Sequence, residues 1–438
     1  MSGGILRLSQ ATLHGRERRE GDAGSARAAT VAGIQSCRAA LDENPVTRPH
    51  AALPPGVWAL GICSLLMDVS SELIHSVLPI FMTTVLGASL VTVGVVEGVA
   101  EATAALLKVF SGALSDALGK RKLLAVIGYG LGAASKPLFP LAGSIAWVAA
   151  ARFVDRIGKG IRGAPRDALL AELVPAAQRG AAFGLRQSLD SVGAFLGPLA
   201  AIVLLALLAG DLRATLWIAV VPAIGAVLVL AFGVHEPAPP TGRPARSPIS
   251  RAEIAALGRR YWLIVALGAV LTLARFSEAF LVLRAQSVGL ALVWVPVVMI
   301  VMNVVYAAAS YPAGLAADAG HRRALLGWGL AALVAADVVL ALAGSPAAVL
   351  AGAALWGLHM GLTQGLLAFL VAEASPAALR GTAFGMFSLV TGLSLLAASV
   401  LAGVLWSAIG PVATFAAGAG FTALAGAGLL ALRPRPAS

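Results

Sequence analysis

The sequence predicts an all-α membrane protein in which twelve transmembrane helices form two pseudo-symmetric six-helix bundles. Hydrophobic residues make up 59% of the 438 residues and charged residues only 12%, about half the charged share of soluble domains. Twelve apolar segments are long enough to cross about 30 Å of hydrocarbon. The stretch 171–184 recurs at 372–385 with ten identical positions, which indicates two homologous halves rather than a short-period solenoid.

The chain divides into a tail, two groups of six segments and a linker. Residues 1–50, rich in Arg, Ala, Gly and Ser, predict a disordered cytoplasmic tail. The N-terminal bundle is predicted over 51–234, with segments one to six at 57–81, 88–111, 122–141, 144–163, 181–208 and 214–233. The Pro- and Arg-rich stretch 235–260 predicts a cytoplasmic linker. The C-terminal bundle is predicted over 261–433, with segments seven to twelve at 261–283, 290–313, 323–343, 346–371, 381–408 and 411–432.

The distribution of basic residues predicts the orientation of the chain. The formal net charge is +11, yet most basic residues lie in short loops rather than in one patch, which argues against a nucleic-acid partner. They follow segments two, four, eight and ten and fill the linker, whereas the opposite loops are nearly uncharged. The positive-inside rule therefore places both termini and the linker in the cytoplasm, in a multi-pass protein of the inner (plasma) membrane.

Two copies of a loop motif follow segments two and eight. The first copy is GALSDALGKRK at 112–122, and the second is GLAADAGHRR at 314–323. Small residues in such a loop allow helices to approach, and its acid can meet positive helix ends on the cytoplasmic face. The motif residues are Gly112, Asp116, Gly119, Lys120 and Arg121 in the first copy and Asp318 and Arg322 in the second.

Segments four and five carry two further motifs. One is an R-x-x-x-G pattern near the end of segment four, and the other is GAFLGP in segment five. The polar and glycine positions of segment five share one helical face, which permits close packing, and its proline favours a bend suited to a gating helix. Helix packing alone is the plainer interpretation. The candidate conformational residues of these segments are Asp155, Arg156, Gly160, Arg186, Asp190, Gly193, Gly197 and Pro198.

These four motifs, in this order, resemble those of the major facilitator superfamily of secondary transporters. The resemblance covers residues 57–432. It implies alternating access between the two bundles, with contacts of the loop motif holding the bundles in one conformation. It further implies a bacterial efflux-type permease that works as a monomer.

Ionisable residues inside segments one and two are the candidate proton sites. They are Asp68, Glu72 and His75 at i, i+4 and i+7 in segment one, and Glu97 and Glu101 in segment two. Charged groups inside a membrane are costly, and by default they indicate a transport pathway. Carboxylates grouped in a low-dielectric cavity can exchange protons near neutral pH, which is the chemistry of a proton-coupled carrier.

The candidate substrate or gate residues are Lys136, Arg152, Arg275, Glu278 and Asn303. Lys136 has no acid one helical turn away, so its partner must come from another helix. Arg152 is a candidate anion contact or gate residue, or a structural bridge to segment one or two. The alternatives are structural ion pairs: Arg275 with Glu278 within segment seven, Lys136 with Glu101, or Asp155 with an arginine. The buried cations leave room for an anionic or zwitterionic substrate.

Together these observations predict a secondary transporter that exports a small organic compound in exchange for protons. Proton-coupled uptake of an anionic metabolite or metal chelate is the alternative. A membrane enzyme is disfavoured because the sequence has no Gly-x-Ser-x-Gly elbow, P-loop or His-Glu-x-x-His motif. A non-transporting sensor is disfavoured because the linker is too short for a signalling domain. The predicted partners are the substrate, protons and the lipid bilayer, with no cofactor and no bound metal.

Overall fold

A computed structural model describes residues 53–118, 120–175, 178–236, 254–318, 320–376 and 379–431. Within these ranges the chain forms helices joined by short turns and loops, with no strand. The predicted tail at 1–50 and most of the predicted linker at 235–260 lie outside the described residues.

Twelve membrane helices, some of them broken, take the places of the twelve predicted segments in the described ranges and are numbered α1–α12. The first six are α1 (Pro55–Ile80, extended by a π-helical turn Phe81–Val85), α2 (Leu90–Leu118), α3 (Arg121–Ser135 and Leu138–Leu141), α4 (Ile145–Glu172), α5 (Arg179–Leu207) and α6 (Leu212–Ile218 and Val220–Gly233). The last six are α7 (Arg259–Ala274 and Ala279–Ser287), α8 (Val297–Asp318), α9 (Arg322–Leu342), α10 (Pro346–Ala374), α11 (Arg380–Ala408) and α12 (Pro411–Ala431). The predicted all-α, twelve-helix fold is confirmed.

Helix capping repeats between the two halves. Ser144 accepts a hydrogen bond from the backbone N–H of Trp147 and starts α4, and Ser345 accepts one from Ala348 and starts α10. These serines are 201 residues apart, the offset of the sequence repeat. A serine at this position satisfies a backbone N–H that the helix itself leaves unpaired. The two halves therefore share local structure as well as sequence.

Eleven of the helices are long and apolar enough to cross a membrane, and α4 is the exception. Its hydropathy is lowered by charged residues such as Arg152, Asp155 and Arg156, all of which are buried in the protein. Charges that face protein partners rather than lipid are the ones that a membrane helix tolerates. Internal pairing therefore explains how α4 can cross the bilayer.

The two halves meet where α2 packs on α11 and where α5 packs on α8. A Cβ atom at Gly98 of α2 would lie 2.9 Å from the Cα of Leu396, so these two backbones touch. Between α8 and α5, the Asn303 side-chain amide donates to the Ala194 carbonyl at 3.5 Å. Small residues allow such close approach in membrane helices.

In the described part of the chain, the buried apolar clusters join the halves at one end of the molecule and not at the other. The largest cluster includes the end of α1 and of α7, for example Val77, Phe81 and Phe280, and the start of α2 and α8. At the opposite end, the end predicted to be cytoplasmic, separate clusters belong to the first half (Tyr129 among them) and to the second half (Tyr261 among them). The structure is therefore closed at the far end and parted at the predicted cytoplasmic end.

Candidate substrate and proton site

Two adjoining cavities lie between the halves, toward the predicted cytoplasmic end. Their volumes are about 580 Å³ and 250 Å³. The walls of both include Glu72, Glu101, Lys159 and Arg275, so the two spaces share one set of charged side chains. The position between two groups of helices is where alternating-access carriers bind their solutes.

The cavity walls are strongly charged. The ionisable side chains of the larger cavity are Asp68, Glu72, Glu101, Lys108, Lys159, Arg162, Arg166, Asp190 and Arg275. The smaller cavity adds His75, Glu97, Arg156 and Glu278. Sites for lipophilic compounds are mostly apolar and aromatic. This lining instead suits a small polar or charged solute.

The glycines of α5 pack directly on the turns of α1 that carry two candidate proton acceptors. A Cβ atom at Gly193 would lie 2.9 Å from the Cβ of Asp68, and one at Gly197 would lie 2.7 Å from the Cβ of Glu72. Both distances are too short for a side chain on α5. The sequence suggested close packing by these glycines without naming a partner helix, and the structure shows that the partner is α1, at the turns that carry the two acids.

A row of ionisable groups leads from the cavity wall into the first half. Glu72 Oε2 lies 3.6 Å from His75 Nδ1, and His75 Nε2 lies 3.7 Å from Glu97 Oε2. Glu97 is 1% exposed and accepts a hydrogen bond from Arg152 Nη2 at 2.6 Å. The gaps on either side of His75 are longer than a direct hydrogen bond, so proton passage along the row needs a water or a small side-chain movement.

The structure corrects one pairing that the sequence suggested. Lys136 finds its partner on another helix, as predicted, but that partner is Asp155, whose Oδ1 lies 2.8 Å from Nζ. The suggested pair of Lys136 with Glu101 is wrong, because Glu101 Oε1 instead lies 2.9 Å from Arg156 Nη1. The suggested pairing of Asp155 with an arginine also occurs, since Arg156 Nε lies 3.3 Å from Asp155 Oδ2.

Two candidate substrate or gate residues lie away from the described cavities. Lys136 and Arg152 are each 1% exposed, and neither lines the two cavity walls. Their carboxylate partners, Asp155 and Glu97, belong to the same half of the molecule. Their positions correct the sequence interpretation toward a structural bridge, since a charge enclosed with its partner is strongly held there.

The other candidates of this group lie at the interface between the halves. Helix α7 breaks between Ala274 and Ala279, and both Arg275 and Glu278 lie in the break and face the smaller cavity. The suggested intrahelical pair is wrong, because among the described residues neither side chain forms an ion pair or hydrogen bond. The Asn303 amide contacts α5 rather than the cavity.

The conformational motif residues lie around the cavity and at its predicted cytoplasmic end. Arg121 Nη1 lies 2.7 Å from Glu172 Oε1, so the loop motif contacts the end of α4. The Gly160 carbonyl accepts a hydrogen bond from Ser111 at 2.9 Å, which joins α4 to α2. Arg186 pairs with Asp190 at 2.8 Å within α5.

The remaining motif residues are less informative. Pro198 is buried in α5, which runs on without a break, and Lys120 is exposed at the start of α3. Arg322 Nε donates to the Ala317 carbonyl at 3.2 Å. The surroundings of Gly112, Asp116 and Asp318, and all of Gly119, lie outside the described part of the chain.

Sequence reasoning missed several cavity cations. Lys108, Lys159, Arg162 and Arg166 all line the larger cavity but were not selected as site residues. Lys159 lies seven residues after Arg152 and three after Arg156, so helical spacing places the three on one side of α4. Helical periodicity was therefore the signal that could have found it.

Comparison with known proteins identifies the family. The model described as Major Facilitator Superfamily matches residues 60–305, and the one described as Sugar (and other) transporter matches 257–429. An uncharacterised major-facilitator-type transporter of Methanocaldococcus jannaschii is 33% identical over 386 residues, which cover 86% of this chain and 95% of that protein. An uncharacterised protein of Mycobacterium tuberculosis is 29% identical over 374 residues, which cover 84% and 90%. The chain belongs to the major facilitator superfamily, whose members are secondary transporters.

Solved structures show the same fold. A peptide transporter POT mutant with sulfate matches at a TM-score of 0.72 and 15% identity, over 88% of this chain and 95% of that one. A mutant of the nucleoside transporter NupG matches at 0.70 and 13% identity, over 86% and 98%. A D-xylose–proton symporter matches at 0.64 and 18% identity, over 86% and 95%. At these identities the likeness concerns the fold alone.

Proposed function

We propose that this chain is a proton-coupled carrier that exports a small organic compound in exchange for protons. The observation that carries the proposal is the position of Asp68 and Glu72, which the glycines of α5 hold at the cavity wall. Asp68 has no hydrogen-bond or ion-pair partner among the described residues, so its carboxylate is free to take a proton from cavity water. Glu72 continues into the row through His75 to Glu97.

Protonation of Asp68 lowers the free-energy cost of closing the cavity. An ionised carboxylate without a partner is expensive to enclose, whereas the neutral acid is far less so. Closure at the predicted cytoplasmic end shuts Asp68 away from water together with Asp190, a second acid of the same half that lines the same cavity. The protonated carrier therefore closes more readily than the ionised one. In an export cycle, solute occupies the ionised cavity in one direction and protons return on the acids in the other.

Uptake of an anionic compound together with protons is the second candidate. It is favoured by Lys159 and Arg275, which face both cavities and have no ion-pair or hydrogen-bond partner in the described part of the chain. An anion near these cations is most stable when the neighbouring acids are neutral, so anion and proton would travel together. The direction of proton movement separates the two candidates.

Purified protein in liposomes with an internal pH dye tests the proposal. Succinate, ferric citrate and tetramethylammonium serve as probes of different charge under an imposed proton gradient. We expect at least one probe to drive proton movement in wild type and none to do so in Asp68→Asn or Glu72→Gln. The sign of the pH change distinguishes exchange from cotransport.

Glu373→Gln is the matched control, because Glu373 is a half-exposed carboxylate that pairs with Arg260 at the surface. This variant removes one acid that does not line the cavity, so it should couple solute transport to proton movement as wild type does. Normal coupling in both cavity variants would contradict the proposal, as would a probe that crosses without moving protons.

A further inference from the structure

We propose that the solute is a small organic anion and that Lys159 of α4 and Arg275 in the break of α7 bind its acidic group together. The inference rests on the proposed function in that the cavity is the transport site of a proton-coupled carrier, and an anionic solute favours the second candidate, cotransport with protons, over exchange. It adds the charge class of the solute and the two residues that recognise it.

Lys159 and Arg275 are the two cations that line both cavities. Lys108 and Arg162, which likewise form no ion pair among the described residues, line only the larger one. Lys136, Arg152 and Arg156 each have a carboxylate oxygen between 2.6 and 2.9 Å away. Lys159 and Arg275 have no ion pair or hydrogen bond among the described residues, although both line both cavities. Charges inside a membrane protein are normally paired, so two unpaired cations that line the same space indicate that a ligand supplies the missing anion.

The carboxylates on the same walls do not fill this need. Glu101 lies 2.9 Å from Arg156, and Glu72 lies 3.6 Å from His75. Glu278 lies in the α7 break with Arg275 but forms no ion pair with it. No described carboxylate on these walls, Asp68 included, lies within ion-pair distance of either cation. The cavity therefore has cationic groups available for an anion.

The two cations come from opposite halves of the molecule. Lys159 belongs to the first six helices and Arg275 to the last six. An anion bound to both attracts the two walls of the cavity toward each other, whereas an empty cavity leaves two like charges facing one space. A guanidinium binds carboxylate or phosphate oxygens through two parallel hydrogen bonds, and an ammonium group adds a point charge. The pair thus combines recognition with a reason for the halves to close around the solute.

Thermal stabilisation of the purified wild-type protein by charged and neutral probes tests the inference. The anions are succinate, citrate and phenylphosphonate, the matched cation is tetramethylammonium, and the neutral probe is erythritol. We expect at least one anion to stabilise the protein and neither of the other two probes to do so. In Arg275→Gln and Lys159→Gln, the apparent affinity for that anion should fall about 10- to 100-fold, the loss expected for a charge-assisted contact.

Arg275→Lys should recover part of the affinity, because it keeps the charge but not the two-pronged geometry. Arg260→Gln, which removes an exposed arginine remote from the cavity, should bind as wild type does. Stabilisation by the cation or the neutral probe alone, stabilisation by no anion, or undiminished anion binding in both Gln variants would each overturn the inference. The assay needs no proton gradient, so anion binding without coupled proton movement would refute the proposed coupling and leave this inference standing.

Discussion

Asp337 of α9 is a buried acid that no part of the proposed mechanism uses. It is fully buried, and neither carboxylate oxygen has a hydrogen-bond partner among the described residues. Gly418 of α12 lies against it: a Cβ atom there would be 2.8 Å from Oδ2. A buried polar group without a partner costs about 1–3 kcal/mol, so this acid lowers the stability of the second half.

Asp337→Ala should therefore raise the thermal unfolding midpoint of the purified protein. The substitution removes the unpaired oxygens, and alanine also has the higher helix propensity. The expected gain is up to about 1–3 kcal/mol, less the cost of the small space left behind. Differential scanning fluorimetry in detergent measures the change.

Asp211→Ala is the control. It is the same substitution, but we expect it to lower the stability rather than raise it. Asp211 caps α6 by accepting hydrogen bonds from the backbone N–H groups of Arg213 and Ala214. Its loss should lower stability by about 1 kcal/mol. If Asp337→Ala is the more damaging of the two, the Asp337 carboxyl has a stabilising role that contradicts this reasoning.

At the residue scale, the sequence predicts which side chains share a helical face better than it predicts which residues form ion pairs between helices. The spacing of Asp68 and Glu72 places them on one face because helical periodicity is a local property, and both line the larger cavity. The partner of Lys136 depends on how α3 packs on α4, which helical spacing does not specify, and the suggested partner Glu101 was wrong. Tertiary packing selected Asp155.

At the element scale, the contact between α1 and α5 leaves no room for a side chain at position 197. A Cβ atom at Gly197 would lie 2.8 Å from the backbone nitrogen of Leu73 and from the carbonyl oxygen of Val69. Gly197→Ala should therefore separate the helices and displace Glu72. We expect reduced stability and at least a tenfold loss of proton-coupled transport, measured in the liposome assay.

Gly184→Ala is the control within the same helix. A Cβ atom at Gly184 meets no other atom within 4 Å, so this change should preserve transport and, through helix propensity, raise stability by up to about 1 kcal/mol. Equal transport by the two alanine variants would mean that the α1–α5 contact has no part in coupling.

Two element boundaries illustrate where sequence patterns fail. Segment four was predicted to end at 163, but α4 continues to Glu172. Charged residues of this extension pair within the protein, Arg166 with Asp167 and Glu172 with Arg121. The break in α7 contains no proline or glycine, so the sequence gives no sign of it. It is instead accompanied by tertiary and local hydrogen bonds: Ser399 accepts from the backbone N–H of Ser277, and Ser277 accepts from that of Ala279.

At the scale of the whole molecule, the described conformation predicts access from one side. Thr391 of α11 lines the larger cavity, whereas Ala398, seven residues further along the same helix, is buried in the cluster that closes the far end. In membrane vesicles, a membrane-impermeant maleimide should label Thr391→Cys from the cytoplasmic face only. Ala398→Cys should remain unlabelled from either face in the absence of solute.

The labelling is done in a Cys37→Ser background, and the remaining native cysteine, Cys63, is buried. Labelling of Thr391→Cys from the outer face would contradict the predicted orientation, and labelling of Ala398→Cys from that face would contradict the closed far end.

The twelve-helix architecture itself was predictable because the repeat and the apolar segments are present in the sequence. The conformational state was not, since both states of a carrier have the same sequence.

Because the apolar cluster joins the halves at the far end, the protein has a different apparent affinity for solute on each side of the membrane. A solute arriving at that side can bind only molecules in which the cluster has already parted. If one molecule in a hundred is parted, the apparent dissociation constant from that side is about a hundredfold weaker than the intrinsic one. Substitutions that weaken the cluster, at Phe280 or Phe415 for example, would reduce the difference in apparent affinity between the two sides without changing a residue that lines the cavities.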